Sequence, residues 1–284
     1  YSYEPSISGD GNLVAFSTSA DDLVSGVTDG NGDVDVYLRD VSAQTTVLVS
    51  HTDGAATTTG NWDSRSPQVS RDGSHVVYRS RAANLQSTVS DTNSVYDLVS
   101  FDVSGATNQY LSVETAVATL GNAGSSRSEH SLSADGRYEV FSSDASDLVP
   151  EDGNDTADVF LRDLLTGVVT LVSHDVNGFA ANGASNEAVI SADGKYVTFV
   201  SNANNLDIAD PSLTAGSYWT NIYRWSREAD TLELVSLNAT GTYASNYYSY
   251  GPSISGDGSR IAFATSAGDL VAGISDGNGD LDVY

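Results

Sequence analysis

The sequence predicts an all-β protein, a β-propeller-like array of four-stranded blades, on three observations. A Ser-x-Asp-Gly turn recurs five times, with aspartates at Asp10, Asp72, Asp135, Asp193 and Asp257 spaced by 62, 63, 58 and 64 residues. Each turn precedes a short β-branched or aromatic run, and no amphipathic helical period is sustained anywhere. A fixed period of this length marks units that bury their apolar faces only against one another. At about 62 residues per blade the chain holds four complete blades plus a partial fifth, approximately 3–64, 65–126, 127–184, 185–247 and 248–284, in one repeat region over 1–284.

Within a copy, the first strand ends at the Asp-Gly turn, where Gly tolerates positive φ and Asp bonds the turn backbone. The second strand is the apolar run: Leu13-Val14-Ala15-Phe16, His75-Val76-Val77-Tyr78, Tyr138-Glu139-Val140-Phe141, Tyr196-Val197-Thr198-Phe199 and Ile261-Ala262-Phe263. After a polar loop comes a third strand, Val34 to Arg39 in the first copy and Ala157 to Arg162 in the third. A Thr/Val-rich fourth strand follows, as in Thr46-Val47-Leu48-Val49-Ser50 and Thr170-Leu171-Val172-Ser173. Four-stranded units repeated around an axis cover their faces without long edges. Residues 1–37 align without gaps to 248–284 with 27 of 37 identical, and the fifth copy stops at Tyr284 before a last strand. The expectation is a piece of a longer polypeptide. It is either part of a larger propeller or one period of 247 residues in a tandem array that self-associates or repeats along a filament.

Charge narrows the classes of partner. With 38 acidic and 12 basic side chains the net charge is −26, and Lys195 is the only lysine, so phosphate backbones and anionic membranes are repelled. No stretch approaches the roughly 18 apolar residues of a spanning helix, so neither nucleic-acid binding nor membrane insertion is expected. The absence of Cys excludes a disulfide scaffold and a Cys-based zinc site, and is compatible with export.

The loop before the third strand is the most chemically loaded feature. It carries Asp29, Asn31, Asp33 and Asp35 in the first copy and Asp276, Asn278, Asp280 and Asp282 in the fifth. The second copy has Asp91, Asn93 and Asp97, and the third has Asp152, Asn154 and Asp158. Alternating oxygen-bearing side chains with Gly between them suit a loop curled around a hard cation. Calcium, with its six to eight oxygen ligands in flexible geometry, fits better than magnesium, zinc or copper. The fourth copy departs, inserting Pro211 to Trp219 and placing Asn221 where the others have their last Asp. No calcium site is expected there.

These residues carry a resemblance. The repeat Pro5-Ser-Ile-Ser-x-Asp-Gly-x-x-Val-Ala-Phe, then Ala20-x-Asp-Leu-Val, Asn31 and Asp35-Val-Tyr-Leu-Arg-Asp40, is matched by Ala145-Ser-Asp-Leu-Val and Asp158-Val-Phe-Leu-Arg-Asp163. It resembles the TolB-like or WD40-like (PD40-type) propeller repeats of bacterial exported proteins over nearly the whole chain. The resemblance implies an extracytoplasmic β-propeller whose blades often carry calcium loops. An extracellular or cell-surface location is expected, with the periplasm as the alternative.

Catalytic chemistry finds little support. No Gly-x-Ser-x-Gly elbow occurs. Of the four histidines, His51 and His174 hold the same repeat position after Val-Ser, and His130 replaces the Pro5 equivalent. The pairs Arg39/Asp40 and Arg162/Asp163 recur at one blade position and read as structural bonds within or between blades. Tyr243, Tyr247, Tyr248 and Tyr250, with Trp219 and Trp225, enrich the fourth-to-fifth junction in rings able to stack on sugars. The expected function is therefore not enzymatic: an exported calcium-binding repeat protein, structural or adhesive, at a cell surface or in an extracellular fibre. The alternative is a propeller module that binds a glycan or a peptide, and a polysaccharide-active enzyme ranks third.

Overall fold

The computed structural model describes residues 1–114, 119–128, 130–206, 219–241, 243–274 and 279–284. Each copy folds as an antiparallel meander in chain order. The first sheet comprises β1 (Ser2–Ile7), β2 (Leu13–Thr18), β3 (Asp35–Asp40) and β4 (Thr45–Leu48), followed by a small hairpin, β5 (His51–Thr52) with β6 (Ala55–Thr59). The second comprises β7 (Ser64–Val69), β8 (His75–Ser80), β9 (Asp97–Asp102) and β10 (Thr107–Tyr110). The third comprises β11 (Ser125–Ser126), β12 (Tyr138–Ser143), β13 (Asp158–Asp163) and β14 (Val169–Leu171). The fourth comprises β15 (Ser185–Ile190), β16 (Tyr196–Ser201), β17 (Asn221–Ser226) and β18 (Thr231–Leu234). A three-stranded sheet of β19 (Ser249–Ile254), β20 (Ile261–Thr265) and β21 (Asp282–Val283) follows. Among the described residues no helix is long and apolar enough to cross a membrane.

The Ser-x-Asp-Gly tetrapeptide makes the first hairpin by a bond network that its residue types dictate. Ser8 donates its hydroxyl to Asp10 Oδ1 at 2.6 Å and accepts the Leu13 N–H, while Asp10 Oδ1 also accepts the Asn12 N–H. Gly11 stands at φ +75°, where a Cβ is disfavoured. Ser70/Asp72, Ser133/Asp135, Ser191/Asp193 and Ser255/Asp257 repeat the serine-to-aspartate bond at 2.6–2.7 Å.

A feature absent from the sequence reading lies on the other side of that turn. The first strand is bulged in four copies, with pairing shifted between Tyr3 and Ser6, Arg65 and Gln68, Asn186 and Val189, and Tyr250 and Ser253. The bulge puts Glu4, Ser66, Glu187 and Gly251 at φ between 53° and 60°, a region that disfavours residues bearing a Cβ by about 1–2 kcal/mol. Hydrogen bonds to the next copy offset that strain. The Glu4 carboxylate accepts the Ser66 N–H at 2.7 Å, and Glu187 accepts the Gly251 N–H at 2.8 Å.

By internal contacts the chain groups into two units. One comprises Tyr1–Ser126, Leu132–Tyr138 and Arg162–Val168. Within it β7 lies against β1, β2 and β3, and Val36, Leu38 and Val49 share a core with Val76, Tyr78, Val99 and Phe101. The other unit comprises Arg127–Ser131, Glu139–Leu161 and Val169–Tyr284, and in it β19 lies against β15, β16 and β17, with Val200, Ile222 and Phe263 in contact.

One core position breaks the repeat. Val14, Val76, Val197 and Ile261 align with Glu139, which is fully buried in β12. Burial pushes its carboxyl up to about 7, opposed by the charge of Arg127 and the hydroxyl of Ser131. The same copy lengthens the approach to its turn: Ser125 and Ser133 are eight positions apart, whereas Ser2 and Ser8 are six apart.

A group whose folded pKa is raised contributes stability below its unfolded pKa and loses it as pH rises through the folded value. Glu139→Val is therefore expected to raise the melting temperature, by the equivalent of about 1–3 kcal/mol at about pH 8 and by less at about pH 5. Thermal unfolding at the two pH values checks this. A variant that melts below the parent at the higher pH would show that the Arg127 pairing outweighs burial.

Candidate functional site

The acidic loops are built around one buried acid at the first position of the third strand. Asp35 donates nothing when ionised and accepts the Ser50 hydroxyl at 2.8 Å, and that same Ser50 oxygen accepts the Val36 N–H. Asp97 with Ser112 and Asp158 with Ser173 repeat the bond at 2.8 and 2.6 Å. In the fourth copy Asn221 takes the place of the acid and Ser236 donates to its Oδ1 at 3.0 Å. Each serine stands 15 positions after its partner: 35 to 50, 97 to 112, 158 to 173 and 221 to 236. That regular spacing was available in the sequence, but the pairing shows only once the fourth strand folds back on the third.

These acids are costly where they lie. Burial raises Asp35 to about 7, with the Ser50 hydroxyl opposing and the charges of Asp29 and Asp33 adding to the rise. Asp97 is raised to about 7 by burial, with Ser112 opposing and Asp91 adding. Asp158 is raised to about 7 by burial, opposed by Ser173 and Asn154. Burial lifts Asp152 to about 6. Asp97 Oδ2 and both carboxylate oxygens of Asp152 are buried without a hydrogen-bond partner of ordinary geometry.

The other loop residues divide by role. Asp29 Oδ1 accepts the N–H groups of Asn31 and Gly32, closing an Asx turn, and Asp91 does the same for Asn93 and Ser94. The asparagines are placed as donors. Asn31 Nδ2 reaches the Gly60 carbonyl at 2.8 Å, Asn93 Nδ2 reaches Gly121, and Asn154 Nδ2 reaches Ala181 and Asp158 Oδ2. Their oxygens accept the N–H groups of Asp33, Val95 and Thr156. Each asparagine thus ties its loop to the chain that leads into the following copy. Asp33 and Asp280 are exposed and Asp282 begins β21. Asp276 and Asn278 lie outside the described residues, as does the insertion over 211–218.

Among the described residues no group of three or more acidic or His side chains is gathered as a metal cluster. What the loops offer a hard cation is narrower: a pair of acids in each of three copies, Asp35 with Asp29, Asp97 with Asp91 and Asp158 with Asp152, both members being buried in the third. The unpartnered Oδ2 of Asp97 fits that use, and among the described residues no basic side chain acts on Asp97, Asp152 or Asp158.

The remaining candidates are structural. His51 Nδ1 and His174 Nδ1 face the carbonyls of Thr52 and Asp175 at 3.0 and 2.9 Å, beginning equivalent hairpins. Asp40 accepts from Asn12, Ser42 and Ala43, and Arg39 donates to the Gln44 carbonyl, so the two are bonded to different partners. Asp163 pairs with Arg137 at 2.8 Å, not with its neighbour Arg162. Trp225 is buried and donates to Asp230, which removes it from any glycan surface, whereas Trp219 packs on Tyr247 and Tyr248.

No family profile and no curated protein sequence matches the chain. Among solved structures it is similar to a prolyl endopeptidase, at 12% identity over 93% of this chain and 32% of that one, with a TM-score of 0.52. It is also similar to a putative TolB from Agrobacterium tumefaciens, at 14% identity over 100% and 80% of the two chains (TM-score 0.49), and to TolB from Acinetobacter baumannii, at 15% over 93% and 49% (TM-score 0.44). The chain spans about half the length of the Acinetobacter protein and about a third of the endopeptidase. Identities this low concern the fold alone. The fold is all-β, built of successive four-stranded antiparallel meanders.

Ser112→Ala removes the hydroxyl that serves both Asp97 and the Leu98 N–H, and is expected to destabilise by about 1–3 kcal/mol. Ser104→Ala, on an exposed bond to Asp102, serves as the small-effect control. In chelator, the raised carboxyls at 35, 97 and 158 should make stability fall as pH rises from about 4 to about 7. Urea midpoints across that window check the sign, and a rise in stability over the same interval would refute it.

Proposed function

We propose that this chain is a non-catalytic propeller module of an exported protein, placed at a cell surface, in an extracellular fibre or in the periplasm, whose acidic loops are loaded by calcium. The observation that carries the reading is the repeated pairing of two carboxylates, Asp35 with the half-buried Asp29, Asp97 with the half-buried Asp91 and Asp158 with the buried Asp152, in loops that bring no balancing basic side chain to Asp97, Asp152 or Asp158. A divalent cation supplies that charge. Aspartate oxygens hold it and backbone carbonyls and water complete its shell, in keeping with the hard-oxygen preference of calcium. The asparagines keep their oxygens on the loop backbone and serve as ties between copies.

Loading of this kind stiffens each loop against its neighbour and leaves the module suited to bear load or present surfaces. Of the residues weighed for chemistry, His51, His174, Arg39, Asp40 and Asp163 are bonded within turns and ties, which supports a structural or adhesive role over a catalytic one. Asn221 in the fourth copy, neutral and bonded to Ser236, marks a blade that stands without the ion.

At extracellular-type affinities of roughly 10⁻⁴ to 10⁻³ M, calcium near 1 mM contributes about 0.4–1.4 kcal/mol per site. Scanning calorimetry is expected to show a higher melting temperature in calcium than in chelator. The shift should shrink when Asp97→Asn and Asp158→Asn are combined, because each removes an ionised ligand while keeping the serine bond that Asn221 demonstrates. Equal melting temperatures in both buffers, with no heat of calcium binding in titration calorimetry, would dismiss the calcium role.

A further inference from the structure

The second sheet departs from the first at three positions on one face, and all three line the same pocket; the fourth sheet is also polar at two of them, with Arg224 and Glu233. Ser100 stands where the first sheet has Leu38 and the third has Leu161; His75 stands at the position of Leu13 and Tyr138; Gln109 stands at that of Val47. The pairing explains why they converge. His75 is opposite Asp102, which is opposite Thr107, and Ser100 is opposite Gln109, so two cross-strand rows share a face. These side chains line a pocket of about 500 Å³, within the range of small-molecule sites. The turn Asp135-Gly136-Arg137 and the pair Leu164 and Leu165 complete its wall. Gly136, at φ +68°, lies so close to His75 that a Cβ there would meet Nδ1 at 2.8 Å.

The polar groups of this pocket are only partly used by the protein. Ser100 is buried, and its hydroxyl has no partner among the described residues. Asp102 bonds Ser104 and Gly105 through Oδ1, and Asp135 bonds Ser133 and Arg137 through Oδ1. The Oδ2 atoms of both are left as acceptors. Arg137 is held by Asp163 through Nε and Nη2 and lies over the Tyr138 ring, so its charge is already matched. Two carboxylates repel an anionic ligand. Hydroxyl, amide and imidazole groups beside them both donate and accept, as sugar hydroxyls do, and Leu164 and Leu165 offer an apolar wall to a sugar's C–H face.

We infer that this pocket binds a short neutral saccharide of one or two rings. The inference is independent of the calcium reading, since none of these residues belongs to an acidic loop. The test is saturation-transfer NMR and titration calorimetry with a panel of neutral mono- and disaccharides, run in calcium and in chelator. Ser100→Leu and Gln109→Val are the variants to compare, because each restores the residue that a sister sheet already accommodates. At least one panel member is expected to bind, with affinity falling roughly tenfold or more in each variant, a loss of about 1.4 kcal/mol, and with the melting temperature unchanged or raised. Three outcomes would overturn the inference: no panel member binds, binding survives both substitutions, or only a cationic probe such as spermidine binds.

Discussion

A carboxylate buried at the head of the third strand, held by a serine hydroxyl just past the fourth, is the constraint around which the first three copies are arranged. Asp35, Asp97 and Asp158 are each almost wholly withdrawn from water, and one or two neutral hydrogen bonds do not balance an ionised acid in that setting. The bond nevertheless fixes geometry. By accepting from the serine and sharing it with the next N–H, the acid locks the end of the fourth strand to the start of the third. The copy with Asn221 keeps the lock without the charge. The charge is therefore separable from the scaffold role, which is why an ionic function for the acids is the economical reading.

Linkage between copies is polar as well as apolar. Asn31, Asn93 and Asn154 each donate to a carbonyl at the entry to the next copy. The bulged first strand receives the Glu4 or Glu187 carboxylate, and the aspartate-glycine turns exchange backbone bonds such as Gly9 N–H to Arg71 and Asp193 N–H to Gly256. Apolar contact between sheets supplies most of the driving force. These directional bonds set the register in which that contact is made. An acidic surface is tolerable in such a design because so many aspartates accept within their own turns: the hydroxyls of Ser8 and Ser255, with the turn backbone, hold Asp10 and Asp257 below the ordinary carboxylate range, and the Ala43 N–H with the Ser42 hydroxyl does so for Asp40.

Specialisation shows as departure from the repeat. Glu139 in a core position, Asn221 in place of an acid, and His75, Ser100 and Gln109 on one face of the second sheet are each unlike their counterparts. A repeat makes such departures readable, since the sister copies display what the scaffold alone requires.

The strand order, the turns and the all-β class followed from the sequence alone, because an aspartate-glycine turn and short β-branched runs are local instructions repeated five times. The acidic loops were visible for the same reason. Three things depended on tertiary structure. Asn31, Asn93 and Asn154 donate through Nδ2 because carbonyls of the following copy come within reach. The left-handed bulge at Glu4, Ser66 and Glu187 has no glycine to announce it, since the bonds that offset its strain come from residues about 62 positions away. The polar pocket of the second sheet arises from side chains on three strands, and periodicity along the chain carries no information about which faces those strands will share.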